Sequence, residues 1–523
     1  MSKKPFFIEL PDNKADLVNF AFWALLAYAL YTWFSIQIQV NITADTFWLA
    51  EAAERLLRGE TASQSYYDPN PPLSMIFYIP PVLATATGWI NLHNALFFYT
   101  LLFASGAALA TYRVLRTVPG LEKTTAIAAA SALIIAATVM ASKSFTERDQ
   151  IIGMWLVPFV LTQLALTKGW PVPAWLRHLI FFTGTFLILI KPHHGLLPTL
   201  LILHRAYTQK RISVWKDADF LYLAAGVIAY AAILLLYFSD FLYVVLPDIW
   251  QLYGHENTKF VLYRAGYYAL LCVAILLFAV MVGRTSWLPY FFLWAALISL
   301  VPFVVQMRGY HYQLLPMVTF FWCGMALFGK ELFQRYMSPV LALMLVTAAM
   351  TVIAFIATPS RLHAVTAMQY PELPLARALT DCPAPCPFFV INNHIEITHQ
   401  TAAYTGKEWA SRFPSLWFLS GLHRLQQANP AEYERLRHKY EIMLAEDLNR
   451  YKPRYVMVGR FTLQGGMDFD LFETFGQEDD FQKAWAAYRP RPDLVINQGL
   501  YFPDQRHFRN LKITYKVFER KPD

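Results

Sequence analysis

The sequence predicts a polytopic α-helical membrane protein, with about eleven transmembrane helices followed by a small α/β domain, and three observations point to it. Of 523 residues, 56% are hydrophobic and only 15% are charged, and the mean hydropathy is +0.34, well above that of an ordinary soluble domain. Several apolar segments reach the roughly 20 residues that a helix needs to cross a bilayer, with no charge at their centres. After residue 358 the chain turns polar, and runs such as FFVIN at 388–392 read as strands.

Taken in order, spans are expected near 16–40, 92–112, 124–141, 150–167, 178–190, 195–206, 219–239, 261–282, 287–305, 313–329 and 338–357. The N-terminal MSKKPFFIELPDNK lacks the basic, apolar and small-residue pattern of a signal peptide, so 16–40 reads as a retained first span. The segments 178–190 and 195–206 are short for full crossings and can form one broken hairpin. With the N-terminus cytoplasmic, the cytoplasmic connections carry Arg113, Arg116 and Lys123, then Lys168 and Arg177, then Arg205, Lys210, Arg211 and Lys216, then Arg284, then Lys330 and Arg335, as the positive-inside rule requires. An odd number of spans then puts the tail outside the cytoplasm. The expected division is a membrane domain at 1–358, whose first extracytoplasmic loop, 41–91, holds amphipathic helices, and a periplasmic α/β domain at 359–523. Within that tail, strands are expected at 388–392, 454–459 and 513–518, and a helix from the Asn429-Pro430 start to about residue 449.

The net charge of +8 fits basic cytoplasmic loops better than a nucleic-acid partner. No internal repeat is evident, which speaks against a transporter built from duplicated halves. Charges on the side away from the cytoplasm concentrate in five loops. The first has Asp45, Glu51, Glu54, Arg55, Arg58 and Asp68. The second has Lys143, Glu147, Arg148 and Asp149, set against an apolar run in FTERDQIIGMWLVPF. LIKPHHGLL supplies Lys191, His193 and His194; LPDIWQLYGHENTKF supplies Asp248, His255, Glu256 and Lys259; VVQMRGYHYQLLP supplies Arg308, His311 and Tyr312. Cations on that face run against the positive-inside trend, and a phosphate at the membrane surface would hold them there, while the carboxylates among them suggest chemistry.

An Asp just after the first span, a long first loop with YYDPNPPLS and RGYHYQLLP opening a late span resemble the GT-C class of integral-membrane glycosyltransferases. Within that class the pattern is similar to bacterial relatives of lipid A aminoarabinose transferase and of protein O-mannosyltransferases. The resemblance covers about 16–357 in layout and leaves out 360–523. It implies transfer of a sugar from a polyprenyl-phosphate donor lipid to a glycan, lipid or protein acceptor on the extracytoplasmic face of the inner (cytoplasmic) membrane. It implies Asp45 as general base, with inversion at the anomeric carbon. Asp68, Glu147 and Asp149 are expected as further catalytic carboxylates, and Arg148, Lys191, His193, His194, His255, Arg308, His311 and Tyr312 as the substrate-binding residues. ERD at 147–149 departs from the Arg-Glu style pair of the aminoarabinose relatives, which leaves open which carboxylate orients Arg148.

No cofactor is assigned, although the histidines leave a divalent metal open. The triplets Asp217-Ala218-Asp219 and Asp468-Phe469-Asp470 are weaker metal candidates, because no Gly-rich phosphate loop accompanies them. Cys272 and Cys323 fall inside spans, whereas Cys382 and Cys386, separated by Pro383-Ala384-Pro385 in a polar region, are expected to form a disulfide in an oxidising compartment. The rival to a transferase is a multi-pass transporter or flippase of a lipid-linked or anionic substrate, which would place ionisable residues deep in the spans.

Overall fold

The computed structural model describes residues 12–210, 212–253, 258–283, 286–357, 364–393, 395–461, 468–503 and 509–522. The chain is mostly helical, with a five-stranded sheet near its C-terminus. Among the described residues, eight helices are long and apolar enough to cross a membrane: Leu92–Leu115, Lys123–Met140, Arg148–Lys168, Ala218–Tyr237, Thr258–Val282, Trp287–Gln306, His311–Phe333 and Pro339–Ala357. By length and composition this is a multi-pass membrane protein. Each of the eight coincides with an expected span; the count of eleven is not confirmed.

The remaining three have separate reasons. The span expected at 16–40 lies in the helix Asp12–Gln37, much of whose first half has side chains outside the described residues. The other two are the helices Ala174–Ile190, of 17 residues, and Leu196–Gln209, of 14 residues, joined by the 3-10 turn Pro192–Gly195. At 1.5 Å per residue they extend about 26 Å and about 21 Å, short of a hydrocarbon core of roughly 30 Å. Pro192 ends the first of them, because it has no N–H to continue the ladder.

The chain divides into two compact units that are not collinear with the sequence: residues 1–38, 96–231 and 257–361 form one, and 39–95, 232–256 and 362–523 the other. In the first, the charged residues of the eight spans lie within about two turns of a helix end, as at Arg148, Asp149 and Lys168 of one helix. The Arg148–Lys168 and His311–Phe333 helices cross closely at Gly153, where a Cβ would sit 2.8 Å from the Pro316 Cα. Asp217 and Asp219 both pair with the buried Arg205, at 3.1 Å and 2.7 Å, and Gln163 donates to Asp219 at 2.9 Å. Arg205, expected as a cytoplasmic loop cation, is therefore an internal strut, and the first Asp-x-Asp triplet is the platform that holds it.

In the second unit the strands are β1 (Pro387–Ile391), β2 (Glu408–Trp409), β3 (Tyr455–Gly459), β4 (Tyr488–Asn497) and β5 (Lys512–Arg520), in the order β2-β1-β3-β5-β4. β1 runs parallel to β2 and β3, and β5 runs antiparallel to β3 and β4. The three expected strands are β1, β3 and β5, and the expected helix is Pro430–Tyr451, capped by the Asn429 side chain accepting from the Glu432 N–H. Asp470 of the second Asp-x-Asp triplet caps the helix Leu471–Phe475. Cys382 and Cys386 form a disulfide with Cα atoms 5.7 Å apart.

Two outcomes check this packing. Gly153→Ala forces a methyl group against backbone and should cost about 1–3 kcal/mol through overpacking, read as a lower Tm in detergent; an unchanged Tm would mean that the two helices do not approach this closely. Thiol alkylation without reductant should leave Cys382 and Cys386 unlabelled, and mass spectrometry finding both labelled in the native protein would refute the bridge.

Candidate functional site

Glu147, Arg148 and Asp149, expected in a loop before the span at 150–167, open the Arg148–Lys168 helix and are buried. Glu147 is the N-cap residue in extended conformation, and Arg148 and Asp149 form the first helical turn. Their exposures are 1%, 2% and 0%. The chain reaches this point through a π-helical segment, Ala136–Met140, and a turn in which Ser142 has a positive φ of 50°. The Gln150 amide donates to the Ala137 carbonyl in that π segment, and Gln37 Nε2 donates to the Ser142 carbonyl at 3.0 Å. Carbonyls freed by irregular backbone are thus recovered by side chains, as burial demands. A carboxylate in the first turn also meets the positive end of the helix dipole.

Asp149 gathers the site around itself. Lys191 Nζ donates to its Oδ2 at 2.5 Å, and His194 Nε2 lies 2.9 Å from its Oδ1. Lys191 follows the Ala174–Ile190 helix as its C-cap, and both histidines stand on the 3-10 turn after it. The Lys191 ammonium also lies 5.2 Å from the centroid of the Tyr312 ring, a cation–π contact. His194 is buried and His193 half-buried, with ring centroids 4.5 Å apart. Burial first, and the neighbouring His194 second, push the His193 imidazole down to about 3, so it is neutral at pH 7. Its Nε2 is buried and has no hydrogen-bond partner among the described residues. One ligand atom from each of Asp149, His193 and His194 lies within 4.8 Å of the others.

The turn that carries Tyr312 is held from both sides. Gly309, at φ +77°, is approached by Phe260, whose Cδ1 would lie 3.0 Å from an added Cβ. The Tyr310 N–H donates to Gln313 Oε1 at 3.2 Å, and Gln313 Nε2 donates to Gln306 at 2.8 Å. Arg308 is 6% exposed, His311 is exposed and Tyr312 half-buried, its ring stacked on Tyr310 at 5.4 Å. Of the expected site residues, the structure brings together Asp149, Lys191, His193, His194 and Tyr312. His255 lies outside the described residues.

Asp45 and Asp68 belong to the other unit. Asp45 is half-buried in the first turn of the helix Ala44–Leu57. Asp68 is 2% exposed and accepts from the Trp48 indole and from the Asn70 N–H, both at 2.6 Å, which closes the turn of YYDPN. Two further networks there were not foreseen. Asp248 Oδ2 accepts from Tyr67 and Tyr440 hydroxyls at 2.6 Å each and from Lys439 at 2.9 Å. Arg55, 3% exposed, donates to Glu51 at 2.6 Å and to the carbonyls of Ser65, Trp409 and Ser411. The sequence shows these groups as ordinary loop charges, and only their distant partners reveal them as clamps.

Burial pushes the Glu51 carboxyl up, but Arg55 and then His399 overcome it, and its net position is below the ordinary 4.5. A carboxyl depressed in the fold contributes stability that is present above its ordinary value and is lost as pH falls through the folded value. The Tm should therefore drop below pH 4.5 more steeply in the wild type than in Glu51→Gln, which at pH 7 should cost about 1–3 kcal/mol for the charged hydrogen bonds removed. Parallel Tm profiles for the two proteins would show that Glu51 titrates as an unpaired carboxyl. Compared with known proteins, the chain matches no family model and no curated sequence.

Proposed function

We propose that the chain is a GT-C-class glycosyltransferase that moves a sugar from a polyprenyl-phosphate-linked donor to a glycan, lipid or protein acceptor on the extracytoplasmic face of the inner membrane. One observation carries the reading: Lys191 is fixed between the Asp149 carboxylate and the Tyr312 ring beside the end of an apolar helix. An ammonium has three N–H donors, and the one given to Asp149 leaves others for a phosphate oxygen. A lipid phosphate is an anion delivered at the boundary of the apolar zone, where a preorganised cation is worth most. Arg148 and Arg308, both nearly buried, carry guanidinium groups of the kind that pairs with phosphate.

In such a transfer the acceptor O–H loses its proton to a carboxylate, its oxygen bonds to the anomeric carbon, and the bond from that carbon to the phosphate oxygen breaks. Polyprenyl phosphate leaves as an anion and takes no proton from a general acid. Asp149 has both oxygens engaged, which suits it to holding Lys191 rather than to taking the proton. The assignment of the base to Asp45 rests on the resemblance. The charge-poor centres of the spans favour this reading over a transporter.

The purified chain, given polyprenyl-phosphate-linked sugars with candidate acceptors, should release polyprenyl phosphate. Lys191→Ala and Arg308→Ala should each lower kcat/KM by about 10²–10³, and Asp45→Asn by about 10²–10⁴. Movement of the intact lipid-linked sugar across proteoliposomes with no phosphate released would overturn the transferase in favour of the transporter.

A further inference from the structure

The buried Nε2 of His193 has no part in the phosphate-binding reading. It lies beside two groups, Asp149 and His194, that already meet at 2.9 Å. Buried polar atoms in folded proteins are paired, so an orphan at the rim of a carboxylate–imidazole pair asks for a partner of its own. We propose that Asp149, His193 and His194 form a binding site for a divalent transition-metal cation of the Zn²⁺ class, and that the Lys191 ammonium opposes its occupancy.

The donor set decides the class of ion. Two imidazole nitrogens and one carboxylate oxygen suit Zn²⁺, Co²⁺ or Mn²⁺, whereas Ca²⁺ and Mg²⁺ take oxygen ligands. Three protein ligands on a tetrahedral ion leave a fourth position open to water or to an anion. The ligand atoms lie within 4.8 Å of one another; ligation at about 2.0–2.2 Å needs them about 3.3 Å apart, and His193, half-buried on a turn, is the side chain that has to close in. His194 holds its Asp149 contact through Nε2. It can ligate through that nitrogen when the nitrogen carries no proton.

Lys191 sets the electrostatics. Its ammonium, 2.5 Å from Asp149 Oδ2, neutralises the carboxylate that a cation would use. A divalent ion beside it leaves two like charges close together in a buried setting, so occupancy costs the displacement of the ammonium from Asp149. An anion in the open fourth position relieves that repulsion. The inference goes beyond the transferase reading and does not depend on it, because cation binding is read with no donor or acceptor present.

The test uses the full chain in detergent with any polyhistidine tag removed, titrated with Zn²⁺ by calorimetry and with Co²⁺ by its visible d–d absorption, and melted with and without Zn²⁺. Lys191→Met should bind one equivalent at least tenfold more tightly than the wild type and gain more Tm on adding Zn²⁺. Asp149→Asn/Lys191→Met, His193→Ala and His194→Ala should lose the Co²⁺ spectrum. Lys191→Gln serves in place of Lys191→Met if that variant does not fold. Cation affinity unchanged by the His193 and His194 substitutions, or no stoichiometric binding in either Lys191 variant, would overturn the site. Failure of sugar transfer alone would leave these isotherms standing and so would count against the transferase reading only.

Discussion

A fully buried carboxylate in the first turn of an apolar helix dictates the arrangement around Asp149. Leaving it without a partner would cost several kcal/mol, more than most single contacts return. The chain therefore brings Lys191 and His194 to it from the turn after the Ala174–Ile190 helix. That turn has to stand level with the start of the Arg148–Lys168 helix, which sets where Pro192 ends the preceding helix. The Tyr312 ring beside Lys191 then fixes the entry to the His311–Phe333 helix as well. Three helix ends are thus positioned by one charge.

The other end of the Arg148–Lys168 helix repeats the device. There Gln163 and Arg205 hold Asp219, which is fully buried in the first turn of its own helix. From Asp149 to Gln163 the helix rises about 21 Å at 1.5 Å per residue. Between Asp149 and Gln163 the polar side chains are Gln150, which donates to the Ala137 carbonyl, the Trp155 indole, which donates to the Phe103 carbonyl, and Thr162, which returns its hydroxyl to the Pro158 carbonyl. Paired charges at each end and a self-satisfied middle are what a segment needs where no water is available. The same separation explains why Leu196–Gln209, at 14 residues, serves to carry Arg205 between the layers and is too short to qualify as a separate crossing.

The long apolar helices were legible in the sequence because lipid imposes both length and composition on them. β1, β3 and β5 were legible for a related reason: each carries a run of apolar or alternating residues. β4 was not, since Arg489, Pro490, Arg491 and Pro492 read as a loop and the strand lies at the edge of the sheet, where proline is tolerated. β2, of two residues, is defined only by its partner β1. In the candidate site, the residue types and the loops that supply them could be read off, and Asp149, Lys191, His194 and Tyr312 do meet. Burial could not be read. Glu147, Arg148 and Asp149 read as the end of a charged loop, and nothing local shows that the π-helical segment before them leads into a buried helix start.

Burial also sorts the remaining loop charges by what they are able to do. Arg55 has its guanidinium divided among Glu51 and three backbone carbonyls, and each carbonyl would be left unsatisfied if it moved to a ligand. Asp248 Oδ2 accepts from two tyrosine hydroxyls and from the Lys439 ammonium, so that oxygen is already engaged with a cation. Asp68 closes its own turn through Asn70. These groups are committed to the fold of their unit, so a change at any of them would show first as lost stability. Lys191 differs, because an ammonium held by a single carboxylate keeps donors to give, and its 11% exposure leaves a way to reach them. The separation between structural and available charge follows from how many hydrogen-bonding positions each group has left, a quantity that depends on partners hundreds of residues away.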